Sequence, residues 1–431
     1  MTPLLIRLAV FPPYRIFLWG GLCCLLIWFF APIDYLYEAG PSSLFILVAY
    51  VYLFFLALFF SAGLTRAKVL TLECDARSIG RLVWLVYGLG SVGLVLRVIE
   101  RIFIRAGGNI SSDFMENREL IATGGSGSIA LVGAVLSSFF LFLPIFICMM
   151  RVAGARRWYH FPMLFCCLLF AVFDMVLQGS RSGLVVFMAT SLTAALMTGY
   201  VRLSLRNLLL GLALAVAFIW LGGMVFWIRT QQMGLDPVAS MELSGYARFA
   251  PASAQVVEYL GQNDSSGLAG LIYALTHFSQ YITHGLYEFF YLASLVDGAS
   301  TYGLQSFYIP AKIIMSALGK GDIEEVLIDG VIRPGVYTTL FGPVVYDFGI
   351  WGGALACLIF AVVLGLVARA VSRQGIAWLP MYLIFCSFLP FFLVVNLFVS
   401  GIGQYAMIAA VLLGLILRVF YSTLFKASDA V

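Results

Sequence analysis

Several arginines lie at the ends of apolar segments, where an isolated positive charge needs a partner. Arg181 lies in a short glycine- and serine-rich tip, QGSRSG, between two apolar runs. Arg97 is near the end of another apolar run, and Arg229, Arg248 and Arg333 follow later in the chain. A charge at the centre of a bilayer costs roughly 2.5–3.5 kcal/mol on insertion scales, so such residues usually have a partner or a function. Because guanidinium binds phosphate oxygens bidentately, these five arginines are candidate ligands for a lipid-linked pyrophosphate.

The alternative for these arginines is that they only reach lipid headgroups and have no further role. Arg97 could also pair with Glu100 or with Asp174, which lies one turn from the end of its apolar run. Arg101 and Arg105 follow Arg97 at four-residue intervals and suit headgroup anchors better than ligands.

A second set of residues could remove a proton from a hydroxyl group. One polar stripe recurs at steps of three and four residues within the apolar segment 268–296, as on one face of a helix. Its members are His277, Gln280, His284, Glu288 and Tyr291. Since histidine titrates near neutrality, His277 or His284 could be a general base, and Glu288 and Asp347 are two further candidates. One or none of these four is expected to be the base. The alternatives are a stripe that merely faces water and, more remotely, a metal held by His284 and Glu288.

The elements that must position these residues are membrane helices. Of the 431 residues, 62% are hydrophobic and only 11% are charged, whereas soluble domains carry about 25% charged residues. Runs of about 20 apolar residues are the length of a bilayer-spanning helix. The sequence therefore predicts an all-α, polytopic integral membrane protein with about ten transmembrane helices, within a range of 8–12. The predicted spans are 16–33, 42–64, 82–99, 129–150, 161–178, 184–200, 208–228, 350–368, 376–399 and 403–422.

Lysine and arginine in the connections between spans predict the orientation. Alternate connections are basic, while the short connections 34–41 and 400–402 contain neither residue type. Both termini are therefore predicted to be cytoplasmic. A large outer loop, 229–349, separates spans seven and eight, and its helix at 268–296 is predicted to be interfacial or re-entrant. Residues 1–431 are interpreted as one membrane domain, with 229–349 as its periplasmic cap.

Several classes of protein are excluded by what the sequence lacks. It contains no P-loop, no HExxH motif and no dinucleotide-binding GxGxxG after a strand. Seven of the eight cysteines fall in predicted spans, so a disulfide framework is not expected. The net charge of +4 is explained by the inner connections, and we expect no nucleic-acid partner.

Two stretches resemble a known family. They are QGSRSG at 178–183, before the large outer loop, and YTTLFGPVVYDFGIWGGALACLIFAVVLG at 337–365, which begins near the end of that loop. Together with the number of spans, they resemble bacterial O-antigen or oligosaccharide repeat-unit polymerases of the Wzy type. The 337–365 stretch is the more specific of the two.

The resemblance implies a glycosyltransferase that uses lipid-linked donors at the periplasmic face of the bacterial inner membrane. Such an enzyme moves a glycan from undecaprenyl pyrophosphate onto a new lipid-linked repeat unit, making O-antigen, capsule or exopolysaccharide. The resemblance implies no cofactor, metal or nucleotide sugar. It points to Arg181, Arg229, Arg248 and Arg333 as pyrophosphate contacts. A chain-length-regulating co-polymerase and a flippase are expected partners.

Three other functions stay open at this point. An O-antigen ligase has a similar architecture and transfers the glycan to a different acceptor. A flippase for lipid-linked oligosaccharide should show internal duplication and mid-span charges, and the sequence shows neither. A non-catalytic assembly subunit would not need external arginines.

Overall fold

The computed structural model describes most of the chain. The described residues are 4–37, 39–63, 67–111, 116–117, 120–121, 128–178, 182–202, 204–232, 234, 236–242, 244–263, 267–296, 298, 301–318, 336–421 and 426–427. A few side chains within these ranges, among them those of Asp174 and Arg229, lie outside the description.

The described chain is mostly helical, with one small sheet. The strands are β1 (Leu4–Val10), β2 (Lys68–Cys74) and β3 (Lys426–Ala427). The helices of the first half are α1 (Pro13–Phe30), α2 (Pro41–Ala62), α3 (Ala76–Val98), α4 (Ser128–Ser137), α5 (Leu143–Val152), α6 (His160–Gln178), α7 (Ser182–Met197) and α8 (Leu205–Gln232). Those of the second half are α9 (Pro237–Glu242), α10 (Ala254–Gln262), α11 (Gly267–Leu295), α12 (Tyr308–Ala317), α13 (Gly342–Gln374), α14 (Leu379–Phe388) and α15 (Gly401–Phe420). Shorter helical turns continue α3 as a π-helix (Ile99–Arg105), join α4 to α5 (Ser138–Phe142) and flank α14 (Ile376–Trp378 and Leu389–Phe391).

The helices agree with a polytopic membrane protein. Six of them are long and apolar enough to cross a membrane: Pro13–Phe30, Pro41–Ala62, Ala76–Arg105, Ser128–Val152, Gly342–Arg373 and Gly401–Phe420. Shorter apolar helices coincide with the other four predicted spans: His160–Phe173, Ser182–Met197, Leu205–Leu221 and Ile376–Phe391. An apolar helix therefore exists at each of the ten predicted positions, while the number that cross stays a prediction.

The sheet is a feature that the all-α prediction missed. β1 pairs antiparallel with β2, and β2 pairs antiparallel with β3. Its inward side chains alternate along the strands, with Ile6 and Leu8 buried and Arg7 between them exposed. The sheet joins residues near both ends of the chain to the α2–α3 connection, so these three segments lie next to one another on the same side of the helices. Burial raises the pKa of the Cys74 thiol to about 12, and none of the eight cysteines, all of which lie among the described residues, forms a disulfide.

Helix α11 packs against protein along its length. Its first half contacts α8, where Gly223 lets Ala274 approach closely. Its second half contacts α1 and α2: the indole nitrogen of Trp28 donates to Tyr287 Oη at 3.0 Å, and the rings of Tyr50 and Phe289 are 6.1 Å apart. Whether α11 is interfacial or re-entrant stays a prediction, but its polar stripe is covered by protein.

Glycine permits the closest contact between α3 and α4. A Cβ atom at Gly93 would lie only 2.0 Å from the backbone nitrogen of Ser137, which no side chain can tolerate. Small residues at such crossings allow the close backbone packing that holds membrane helices together. This contact fixes the end of α3 that carries Arg97.

We expect Gly93→Val to lower the melting temperature and the folded yield, because overpacking against backbone costs about 1–3 kcal/mol or more. The measurement is thermal unfolding of the purified protein in detergent. Gly88→Val is the matched control, since Gly88 lies in the same helix with nothing within 4 Å of its Cβ position. Equal losses in the two variants would contradict this packing.

Candidate functional site

Two non-helical segments meet and form a pocket. The chain is non-helical at 336–340 before α13, and again around 395–400 between α14 and α15. The two segments form backbone hydrogen bonds with each other. Leu340 N donates to Phe392 O at 2.7 Å, and Asn396 N donates to Thr338 O at 3.3 Å. The Asn396 side chain completes the pairing by donating to Leu340 O at 2.7 Å. Buried backbone groups outside helices need hydrogen-bond partners, and here the two segments supply them.

The cavity at this junction, here named the Glu288 pocket, has a volume of about 130 Å³. Its lining residues are Glu288, Tyr291, Leu292, Gln305, Val336, Tyr337, Thr338, Pro343, Tyr346, Val395, Asn396 and Val399. Glu288 is the sole carboxylate in this lining and is only 6% exposed. Of the four predicted bases, Glu288 alone lines the pocket.

Arg248 lies beside this pocket. Its Nη2 atom is 3.5 Å from the hydroxyl of Tyr291, and its guanidinium carbon lies 4.9 Å from the centre of the same ring. Tyr291 itself lines the pocket, and Arg248 is exposed. The structure therefore brings together one predicted base, Glu288, and one predicted phosphate ligand, Arg248.

Asp347 occupies a different position from the one expected of a base. It is fully buried, and its carboxylate accepts hydrogen bonds from Thr301 Oγ1 (2.7 Å), Gln305 N (3.0 Å) and Ser306 N (2.8 Å). Two residues later Gly349 breaks helix α13 with φ 68° and ψ −177°. Asp347 thus holds the 301–306 segment, including pocket residue Gln305, against the start of α13.

The two histidines of the stripe are packed among aromatic rings. The His284 ring lies 4.3 Å from the Tyr246 ring, and its Nδ1 is 3.0 Å from Gln280 O. Because a carbonyl oxygen only accepts, Nδ1 carries the proton and Nε2 carries the lone pair, in a buried position. His277 stacks on Tyr273 at 6.0 Å. In the described part of the chain, no three histidine, cysteine or acidic side chains are grouped as a metal site.

A second feature, here named the basic cluster, is the set of cations whose charges reach the Tyr405 hydroxyl. The positive charges of Arg97, Lys312, Arg101 and Arg105 all act on this hydroxyl. Arg97 is only 8% exposed and its guanidinium carbon lies 5.5 Å from the Phe170 ring. Several cations near one position attract anions.

The π-helix at 99–105 determines which charges this cluster presents. A π-helix stacks residues five apart, and this brings Arg105 onto buried Glu100, with which it forms an ion pair. Glu100 therefore pairs with Arg105, whereas the sequence suggested Arg97 as a partner. The Asp174 side chain lies outside the description. Short π-helical segments are frequent at functional sites.

One connection links the basic cluster to the Glu288 pocket. Gln404, next to Tyr405, accepts from Ile309 N at 2.7 Å and donates to Val399 O at 3.0 Å. Val399 and Gln305 line the pocket, while Lys312 in α12 reaches the cluster. Gln305 lies just before the start of α12, and Lys312 lies within α12. The two features therefore form one extended site.

The remaining predicted ligands are not located. Arg181 and Arg333 lie outside the described residues, and Arg229 lies in α8 with its side chain outside the description. Arg97 and Arg248 are thus the two predicted phosphate ligands whose side chains the structure places.

Sequence reasoning missed Lys312, Tyr405, Gln404, Gln305 and Thr338. Gln404 offered a signal, as a polar residue within the apolar helix GIGQYAM. Lys312 and Tyr405 offered none, because only the fold brings them to Arg97.

Comparison with known proteins gives one match. Residues 313–391 match a family model described as "Putative O-antigen polymerase". The match runs from α12 through α13 to the turn after α14, and it includes Tyr337, Thr338 and Tyr346 of the pocket. It supports assigning the chain to the O-antigen polymerase family, in agreement with the resemblance of the 337–365 stretch. No curated protein and no solved structure matches the chain.

We expect Asp347→Asn to destabilise the site by roughly 1–3 kcal/mol, because the amide group turns an N–H donor towards backbone donors. The melting temperature should fall and the 301–306 segment should be cut faster in limited proteolysis. Asp236→Asn is the control, since Asp236 is exposed and bonds only the backbone nitrogens of Val238 and Ala239. If stability were unchanged and activity were lost, the result would instead indicate that Asp347 acts as the general base.

Proposed function

We propose that this chain, assigned to the O-antigen polymerase family by residues 313–391, joins undecaprenyl-pyrophosphate-linked oligosaccharide repeat units into a surface polysaccharide. The observation that carries the proposal is the position of the family match, which coincides with one wall of the Glu288 pocket. Lipid-linked oligosaccharide is the substrate that the family implies. The match favours a polymerase over a ligase or a flippase.

The reaction takes place at the periplasmic face of the inner membrane in this proposal. Both termini and the α2–α3 connection share one side through the sheet, as expected if all three are cytoplasmic. The basic inner connections support that orientation. The pocket and the basic cluster then lie towards the outer side, where the diphosphate of a polyprenyl carrier would be held at headgroup depth.

Glu288 is the general base in this mechanism. The acceptor sugar's hydroxyl oxygen forms a bond to the anomeric carbon of the donor sugar, and its proton passes to the Glu288 carboxylate. The bond from that carbon to the diphosphate oxygen breaks, and the diphosphate leaves with the electron pair. Glu288 suits this step because it lines the pocket, whereas Asp347 and His284 do not.

The basic cluster stabilises the leaving group. Negative charge grows on the diphosphate as the glycosidic bond breaks, and fixed cations at that point lower the barrier. Arg97 supplies a buried charge, and Lys312 and Arg101 supply charges closer to the surface. Arg248, beside the pocket, is a further candidate contact for a diphosphate.

We expect Glu288→Gln to slow polymer formation by about 10²- to 10⁴-fold, the usual contribution of general base catalysis. The assay uses purified protein in lipid vesicles with a lipid-pyrophosphate-linked repeat unit, and the product ladder is read on a gel. Glu258→Gln is the control, because Glu258 is an exposed carboxylate in α10 that bonds only Gln262. A full-length ladder from the Glu288 variant, at an equal protein level, would remove Glu288 as the base. No ladder from the wild-type protein would refute the polymerase.

We expect Lys312→Met to slow the same reaction roughly 10- to 100-fold, since one charged contact to the leaving group is worth about 1.5–3 kcal/mol. Methionine keeps the apolar stem and removes the charge. Lys68→Met is the control, because Lys68 is an exposed lysine in β2, which lies on the cytoplasmic side in this proposal. Wild-type rates in the Lys312 variant would show that the cluster does not bind the diphosphate.

A further inference from the structure

The Glu288 pocket contains polar groups that the fold itself does not use. Asn396 is bonded within the fold, because its amide donates to Leu340 O and its oxygen accepts from Phe398 N and Val399 N. Thr338 is different: its hydroxyl oxygen is buried and has no hydrogen-bond partner among the described residues. A buried polar atom without a partner is costly, so a group is expected to bind there.

Gln305 offers the second such group. Asp347 holds its backbone nitrogen at 3.0 Å, which fixes the residue at the edge of the pocket. Among the described residues its side-chain amide forms no hydrogen bond, so both a donor and an acceptor are available to a ligand. Gln305 and Thr338 together can bind two hydroxyl groups of one small molecule.

Tyrosines supply the rest of the lining. Tyr291, Tyr337 and Tyr346 all contribute to the pocket wall. Each presents an apolar ring and a polar tip, and this combination matches a sugar, whose C–H face is apolar and whose rim is hydroxylated. The described lining residues include no cation, and their one charge is the Glu288 carboxylate. A neutral ring therefore fits better than an anionic one.

The volume limits how much of a glycan can enter. An engineered cavity of about 150 Å³ holds one benzene ring. The Glu288 pocket, at about 130 Å³ and open on one side, therefore holds one six-membered ring with its substituents directed outwards. A complete oligosaccharide repeat unit does not fit.

We propose that the Glu288 pocket binds a single neutral pyranose, the terminal sugar of the acceptor repeat unit, with Gln305 and Thr338 determining which sugar is accepted. This inference rests on the proposed polymerase function, which places the reacting hydroxyl beside Glu288. The enzyme then recognises the last sugar of its acceptor and leaves the rest of the repeat unit outside the pocket.

The first test is direct binding to the full-length protein in detergent, measured by saturation-transfer NMR. The probes are free neutral hexoses, N-acetylhexosamines and uronic acids. We expect transfer to at least one neutral sugar and none to uronic acids, with the signal lost in Gln305→Leu and in Thr338→Val. Both substitutions keep the side-chain size, and Gln305→Leu keeps the backbone nitrogen that Asp347 holds. Gln262→Leu, an exposed glutamine of α10, is the control.

The second test uses kinetics in vesicles. Loss of one hydrogen bond to the acceptor should raise KM for the repeat unit roughly tenfold in Gln305→Leu, with kcat changed much less. A wild-type protein that polymerises while both variants keep wild-type KM and sugar binding would overturn the sugar subsite and leave the polymerase standing. A wild-type protein that binds sugar and makes no polymer would refute the polymerase instead.

Discussion

The need to satisfy every buried backbone polar group is the constraint on which this site depends. Continuous helices satisfy it by themselves, but a continuous helix offers no room for a polar substrate. Here two non-helical segments, 336–340 and 392–400, satisfy these groups by hydrogen bonding to each other, and the Asn396 side chain adds one of the bonds. The space left between them is the Glu288 pocket, so the pocket follows from the same bonds that make the interruption stable.

Different parts of the fold hold the pocket residues in position and carry the charges of the basic cluster. Asp347 anchors the 301–306 segment, and Gln404 joins the start of α12 to the start of α15. Close packing of α3 on α4 at Gly93 fixes the helix that carries Arg97, and the π-helix after it directs Arg105 onto Glu100. These contacts fix the position of the basic cluster relative to the pocket. The proposed transfer between two lipid-linked substrates needs such fixed positions.

The sequence predicted the helical class and the apolar segments, because a run of about 20 apolar residues has the length of a bilayer-spanning helix. It also singled out Glu288 by its helical spacing and Arg248 by its isolated charge, and their roles stay predictions. β1 was missed since its alternation, with Arg7 between Ile6 and Leu8, is short and lies before the first span. Lys312 and Tyr405 were missed because nothing local relates them to Arg97. Asp347 was recognised as unusual, but only its three donors reveal an anchoring role.

The most direct test of the polymerase is the lipid-linked glycan content of cells that lack this gene, measured by mass spectrometry with a surface-glycan gel. We predict that single repeat units accumulate on the carrier lipid at the outer face, that long polymer disappears, and that the intact gene restores it. Long polymer that remains on its lipid would indicate a ligase. Units trapped at the inner face would indicate a flippase, and either result would contradict the account.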